Sequence, residues 1–123
     1  MKTGIRDILG SSSGLEKVMG DVLRVLGLYR RLWLSEIYME ISGMNSTLKD
    51  EVPDYNIVEK AVIELSKMGY VTLEKRIRGV PYKREGVEEY LVTLIENPEV
   101  LMALQSDKKL MEYVRIRSEI LGT

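Results

Sequence analysis

Five cations, Lys75, Arg76, Arg78, Lys83 and Arg84, fall within ten residues of one another. Guanidinium and ammonium groups at this density pair with phosphate oxygens and are attracted to the negative potential of a narrow DNA groove. Strand-like alternation predicts Arg76 and Arg78 on one face, away from Leu73 and Ile77. Tyr82 sits beside them and could pack on a sugar. Glu85, Glu88 and Glu89 follow at once, so a solvated hairpin tip whose charges discourage edge pairing is the other reading. A second group lies upstream. At about 100° per residue, Asn56, Glu59, Lys60, Ile63 and Lys67 share one outward helical face, with Tyr55 at its entrance. Asn56 offers adenine a paired donor and acceptor, Lys60 suits guanine or a phosphate, and Ile63 could meet a thymine methyl. Glu59 is unfavourable beside phosphate unless it accepts a bond from cytosine. An isoleucine centred on an exposed face also suits a protein contact, and an ordinary solvated face is the third reading.

Other chemistries are excluded by composition. The 123 residues contain no cysteine and no histidine, which removes disulfides, zinc–thiolate sites, thiol catalysis and the commonest general base. No glycine-rich phosphate loop is present, the glutamates after Arg84 read as solvated, and the seven methionines fall at helical spacings as core filler. The expectation is a protein that is not an enzyme, with no cofactor and no metal. No apolar run approaches the roughly 20 residues of a membrane span. Lys2, Arg6 and Asp7 come too early for a secretory signal, so a cytoplasmic protein without a membrane role is expected. Eighteen basic against 19 acidic residues leave a net charge of −1, so any nucleic-acid contact must come from local clustering.

The elements that must hold these groups follow from apolar periodicity. Leu15, Val18, Met19, Val22, Leu23, Leu26 and Tyr29 predict an amphipathic helix, entered through Gly10-Ser11-Ser12-Ser13-Gly14 as a capping turn. Arg30 and Arg31 suit its C-terminal end. Ser35 opens a short second helix with Ile37 and Ile41 inward and Gly43 just past its end; Trp33 before it reads as a core or staple residue. Residues 44–53 lack periodicity and read as a loop. Asp54 caps a third helix running to about Met68, with Val58, Ala61, Val62 and Leu65 inward and Gly69 as terminator. Two strands follow, around Val71–Ile77 and Tyr90–Leu94, joined by a basic loop carrying Gly79, Pro81 and Gly86. Pro98 starts a fourth helix, and Lys108 to Leu121 a fifth.

The segments Leu34-Ser35-Glu36-Ile37 and Ala61-Val62-Ile63-Glu64-Leu65-Ser66-Lys67-Met68-Gly69-Tyr70-Val71 resemble the winged helix-turn-helix core. Ile5-Arg6-Asp7-Ile8-Leu9-Gly10-Ser11-Ser12-Ser13 and Glu96-Asn97-Pro98-Glu99-Val100 are similar to archaeal ArsR-like transcriptional regulators. The resemblance implies an α+β, mainly α fold: a three-helix core plus β-hairpin wing, with additional C-terminal helices. It implies an N-terminal arm at 1–14, a winged-helix domain at 15–95 and a C-terminal helical extension at 96–123. The third helix would read the major groove of double-stranded DNA and the wing would hold its backbone. Flanking helices form the dimer interface in such proteins, which assigns Leu110, Met111, Val114 and Leu121 to a homodimer contact; folding back on the first helix is the other use of that face. The metal sensing of such regulators is not carried over, because its usual Cys and His ligands are missing. The alternative is a winged helix used as a protein–protein interaction module, with a protein partner at Ile63.

Overall fold

The computed structural model describes residues 4–122. Its elements run α1 (Ile5–Gly10), α2 (Gly14–Tyr29), β1 (Arg31–Trp33), α3 (Leu34–Thr47), α4 (Tyr55–Lys67), β2 (Val71–Val80), β3 (Lys83–Leu94), α5 (Pro98–Gln105) and α6 (Lys108–Ile120). The fold is α+β and mainly helical. The hub is α2, in which every residue from Val18 to Leu26 is buried, and α1, α3, α4 and α5 all pack on it. A helix apolar on one stripe needs one partner; a helix buried on all sides needs several. Residues 5–10, part of the expected arm, form α1, and its Ile5 and Ile8 join the core. Close approach of α1 depends on Gly20, where a Cβ would lie 3.0 Å from the Ile8 carbonyl oxygen. The serines before α2 do not cap it as expected: Ser13 occupies the N-cap without a side-chain bond, and the Ser11 hydroxyl donates to the Ser13 carbonyl instead.

The second helix does not stop before Gly43; α3 continues to Thr47. Met44 extends the Ile37–Ile41 stripe by one helical step and is fully buried, so burial outweighs the weak propensity of the Gly43–Thr47 stretch. The Asn45 amide donates to Asp21 Oδ2 (3.0 Å) and to the Glu51 carbonyl (2.8 Å), fixing the turn into the following segment. The connection to α4 is therefore residues 48–54, not the longer loop from Met44. Asp54 caps α4 as the sequence predicts, with Oδ1 accepting from the Ile57 amide at 3.0 Å. Asn97 and Asp107 cap α5 and α6 in the same manner.

The expected basic loop between the two strands is also replaced. The β2–β3 ladder runs from Val71↔Leu94 to Arg78↔Val87 and resumes at Val80↔Lys83, leaving Pro81 and Tyr82 as the turn. Gly86, read in the sequence as a loop marker, lies inside β3 with φ +76°, and a Cβ there would be 2.7 Å from the Arg78 carbonyl oxygen. It is the residue that lets the ladder pass the irregularity between Arg78 and Val80. The short β1 pairs with β3, giving an antiparallel sheet of order β1-β3-β2.

One charged network fastens α6 to the hub. The Arg24 guanidinium donates to Asp107 (2.6 and 3.0 Å), to Asp21 (2.9 Å) and to the Leu9 carbonyl (2.7 Å). Lys109 bridges Asp21 (2.9 Å) and Asp50 (2.7 Å), and Lys17 reaches Asp50 at 2.8 Å. Burial opposes the Arg24 charge, but the hydrogen bond and field of Asp107, then those of Asp21, outweigh it and raise its pKa. Lys109, then Lys17, hold the Asp50 carboxyl well below the usual carboxylate range. A depressed carboxylate contributes stability above its unfolded pKa and loses it as pH falls towards the folded value. Asp50→Asn is thus expected to lower the urea midpoint at neutral pH, with the gap to wild type closing progressively below about pH 4. A gap that stays constant down to acid pH would contradict this. Among the described residues no helix is long and apolar enough to cross a membrane, and no acidic cluster could hold a metal ion.

Candidate nucleic-acid interface

Three surfaces carry the residues singled out in the sequence. On α4 the buried stripe Val58, Ala61, Val62 and Leu65 faces α2, which leaves Tyr55, Asn56, Lys60 and Lys67 exposed. Glu59 and Ile63 are half-buried, so Ile63 is a partly covered shoulder rather than an open apolar centre. Neither Asn56 nor Lys60 has a side-chain hydrogen bond or ion pair among the described residues, whereas Lys67 stands 3.8 Å from Glu64. Tyr55 stacks edge-on against Tyr38 of α3, with ring centroids 5.5 Å apart. Burial, and then the Glu89 and Glu59 carboxylates, push its phenol above the ordinary value. The entrance of α4 therefore lies within electrostatic reach of Glu89 in β3.

The hairpin carries its five cations among four carboxylates, and most are matched locally. Lys75 lies 3.7 Å from Glu88 and over the Tyr90 ring; Arg76 is 3.5 Å from Glu74, and Lys83 is 4.0 Å from Glu85. Arg84 has no ion pair among the described residues. All these side chains are solvent-exposed, and loose exposed pairs contribute little and exchange partners readily. Arg78 is different. It turns back onto α3, donating to Ser35 Oγ at 2.6 Å and to Glu89 Oε2 at 3.3 Å, with its guanidinium 5.7 Å from the Trp33 ring centroid. Arg76 and Arg78 thus have unlike surroundings despite their shared parity. Ile77 and Tyr82, 64% and 81% exposed, give the hairpin an apolar component beside its charges.

On α6 the four residues assigned to a dimer contact divide. Leu110 is buried with Tyr113 against the chain's own core, while Met111, Val114 and Leu121 are exposed. The helix is folded back on the hub, its far half held by Arg117, which donates to the Tyr29 hydroxyl at 3.0 Å and stacks on Tyr29 and Tyr113. Beside the exposed side chains lie two open hollows of about 370 and 230 Å³, walled mainly by Leu28, Leu104, Leu110, Val114 and Leu121.

Sequence reasoning missed the Arg24 network and the inward turn of Arg78. The first had a signal, since Asp21 and Arg24 sit in the middle of an otherwise apolar helix. The second had only part of a signal: Glu89 is among the carboxylates that follow the basic cluster, but Ser35 lies 43 residues from Arg78 and no local pattern joins them. Comparison of the chain with known protein families and with curated proteins gives no match.

Proposed function

We propose that the chain is a winged-helix DNA-binding protein that acts as a homodimer and regulates transcription. The order α2-β1-α3-α4 followed by the β2–β3 hairpin agrees with a three-helix core and its wing. The observation that carries the reading is the contrast in how the basic side chains are held. Lys60 and Arg84 are unpaired among the described residues, and Lys75, Arg76 and Lys83 are only loosely paired at 3.5–4.0 Å. Such cations transfer to phosphate oxygens at little cost. Asn56, exposed on α4, is the group for base edges, Lys60 beside it reaches a phosphate, and Glu59 restricts which bases are accepted. Contacts from Lys60, Arg76, Lys83 and Arg84 would give a log–log salt slope of about −3.6 per protomer.

The occupant of the α6 face in this reading is a second copy. Met111 and Val114 are exposed and line an apolar hollow with Leu28, Leu104 and Leu110, and an apolar face of this kind on each of two copies can meet its own like across a two-fold axis. On its flank Arg115 pairs with both Glu112 and Glu119, one positive against two negative charges, so each copy brings only a single net negative charge from this cluster to the contact. A dimer reads two half-sites centred about 10 base pairs apart. Selection from a random duplex library tests both parts at once. The expected result is enrichment of a two-fold symmetric site with that spacing. Failure to enrich any sequence, with no binding at low salt, would sink the reading.

A further inference from the structure

We propose that Arg78 does not contact DNA but locks the wing against α3, making it a positioning residue for the whole reading surface. The inference rests on the DNA-binding reading above for its functional consequence, though not for its geometry. Glu89 in β3, whose side chain is 10% exposed, accepts the Ser35 backbone amide at 2.6 Å through Oε1. That amide is in the first turn of α3, where helical N–H groups lack partners and a carboxylate is favoured by the helix dipole. The other oxygen of Glu89 takes Arg78 from β2, and Arg78 in turn holds the Ser35 hydroxyl and covers Trp33. Both strands of the wing are therefore clamped to one helix end, by residues 43 and 54 positions from Ser35. Tyr38 of the same helix stacks on Tyr55 at the start of α4. The latch thus fixes the angle between the wing and the helix whose exposed face would enter the groove.

A charge test separates this role from a phosphate contact. Arg78→Lys keeps the positive charge but loses the fork and the stacking plane. Glu89→Gln removes a carboxylate from the wing and disrupts the clamp. If Arg78 positions the wing, both variants bind random-sequence duplex DNA about three- to tenfold more weakly, with the wild-type salt slope. If Arg78 instead meets phosphate, Arg78→Lys binds as wild type and Glu89→Gln binds more tightly; either result overturns the proposal. The single tryptophan supplies a readout independent of DNA, because Arg78 lies on Trp33. Both variants are expected to change Trp33 emission and to speed amide exchange across residues 71–94 while retaining the wild-type helical circular dichroism. Should the wild type bind no DNA, the DNA reading fails, and unchanged emission and exchange in Arg78→Lys would then overturn the latch as well. Arg78→Lys serves alone if the Gln variant does not fold.

Discussion

Replacing Arg24 by Met lowers the free energy of unfolding by about 3–5 kcal/mol, the largest single-residue effect expected in this chain. The guanidinium is 5% exposed and serves Asp107, Asp21 and the Leu9 carbonyl together. Its loss leaves the buried Asp107 carboxylate with no cation, and Lys109 must serve Asp21 while still bound to Asp50. An unpaired buried charge costs far more than the pair contributed. Domains of this size have a total stability of about 5–15 kcal/mol, so the variant approaches the unfolding threshold. Urea denaturation measures the loss. Arg115→Ala, which removes an equally well-formed but solvent-exposed cluster with Glu112 and Glu119, should leave the midpoint essentially in place. Equal effects from the two substitutions would mean that burial does not govern these pairs.

The second large effect concerns assembly. Met111→Glu combined with Val114→Glu is expected to yield a folded monomer, because the α6 residues that face the core, Leu110 and Tyr113, are untouched. Met111 and Val114 are 55% and 41% exposed in the single chain, so carboxylates there remain in water until a second copy approaches. Sedimentation should report a wild-type dimer and a variant monomer. Loss of the linked second half-site should then weaken binding to a symmetric site about hundredfold or more. A wild-type protein that is monomeric at micromolar concentration, or a variant that remains dimeric, would remove α6 from the interface.

Much of the scaffold was legible because long elements show their period. The stripes of α2 and α4, the Asp54 cap, the Gly69 terminator and Pro98 at the start of α5 all act locally, within a few residues. Misread features were those decided at long range. The last turn of α3 forms because Met44 is buried in the core and Asn45 bonds Asp21 and Glu51. The middle of the hairpin reads as a loop because Gly79, Pro81 and Gly86 are turn residues. In the folded chain Gly86 serves a bulge, and the ladder continues past it. Short elements such as β1 and α1 offer too few residues for a period. For the candidate interface, sequence identified residue type and parity but not partner. Arg76 and Arg78 look equivalent on alternation, and only the positions of Ser35, Trp33 and Glu89 separate them.

Fluorescence anisotropy on a labelled duplex across a salt series tests the central claim most directly, with wild type beside a variant carrying Ala at Lys60, Arg76, Lys83 and Arg84. The account predicts wild-type affinity that falls steeply with salt. The variant should bind more weakly everywhere, with its log–log slope flattened by about 3.6 per protomer. Wild-type protein that fails to bind at low salt, or a variant whose slope matches wild type, would contradict it and turn attention to a protein partner for the same surface.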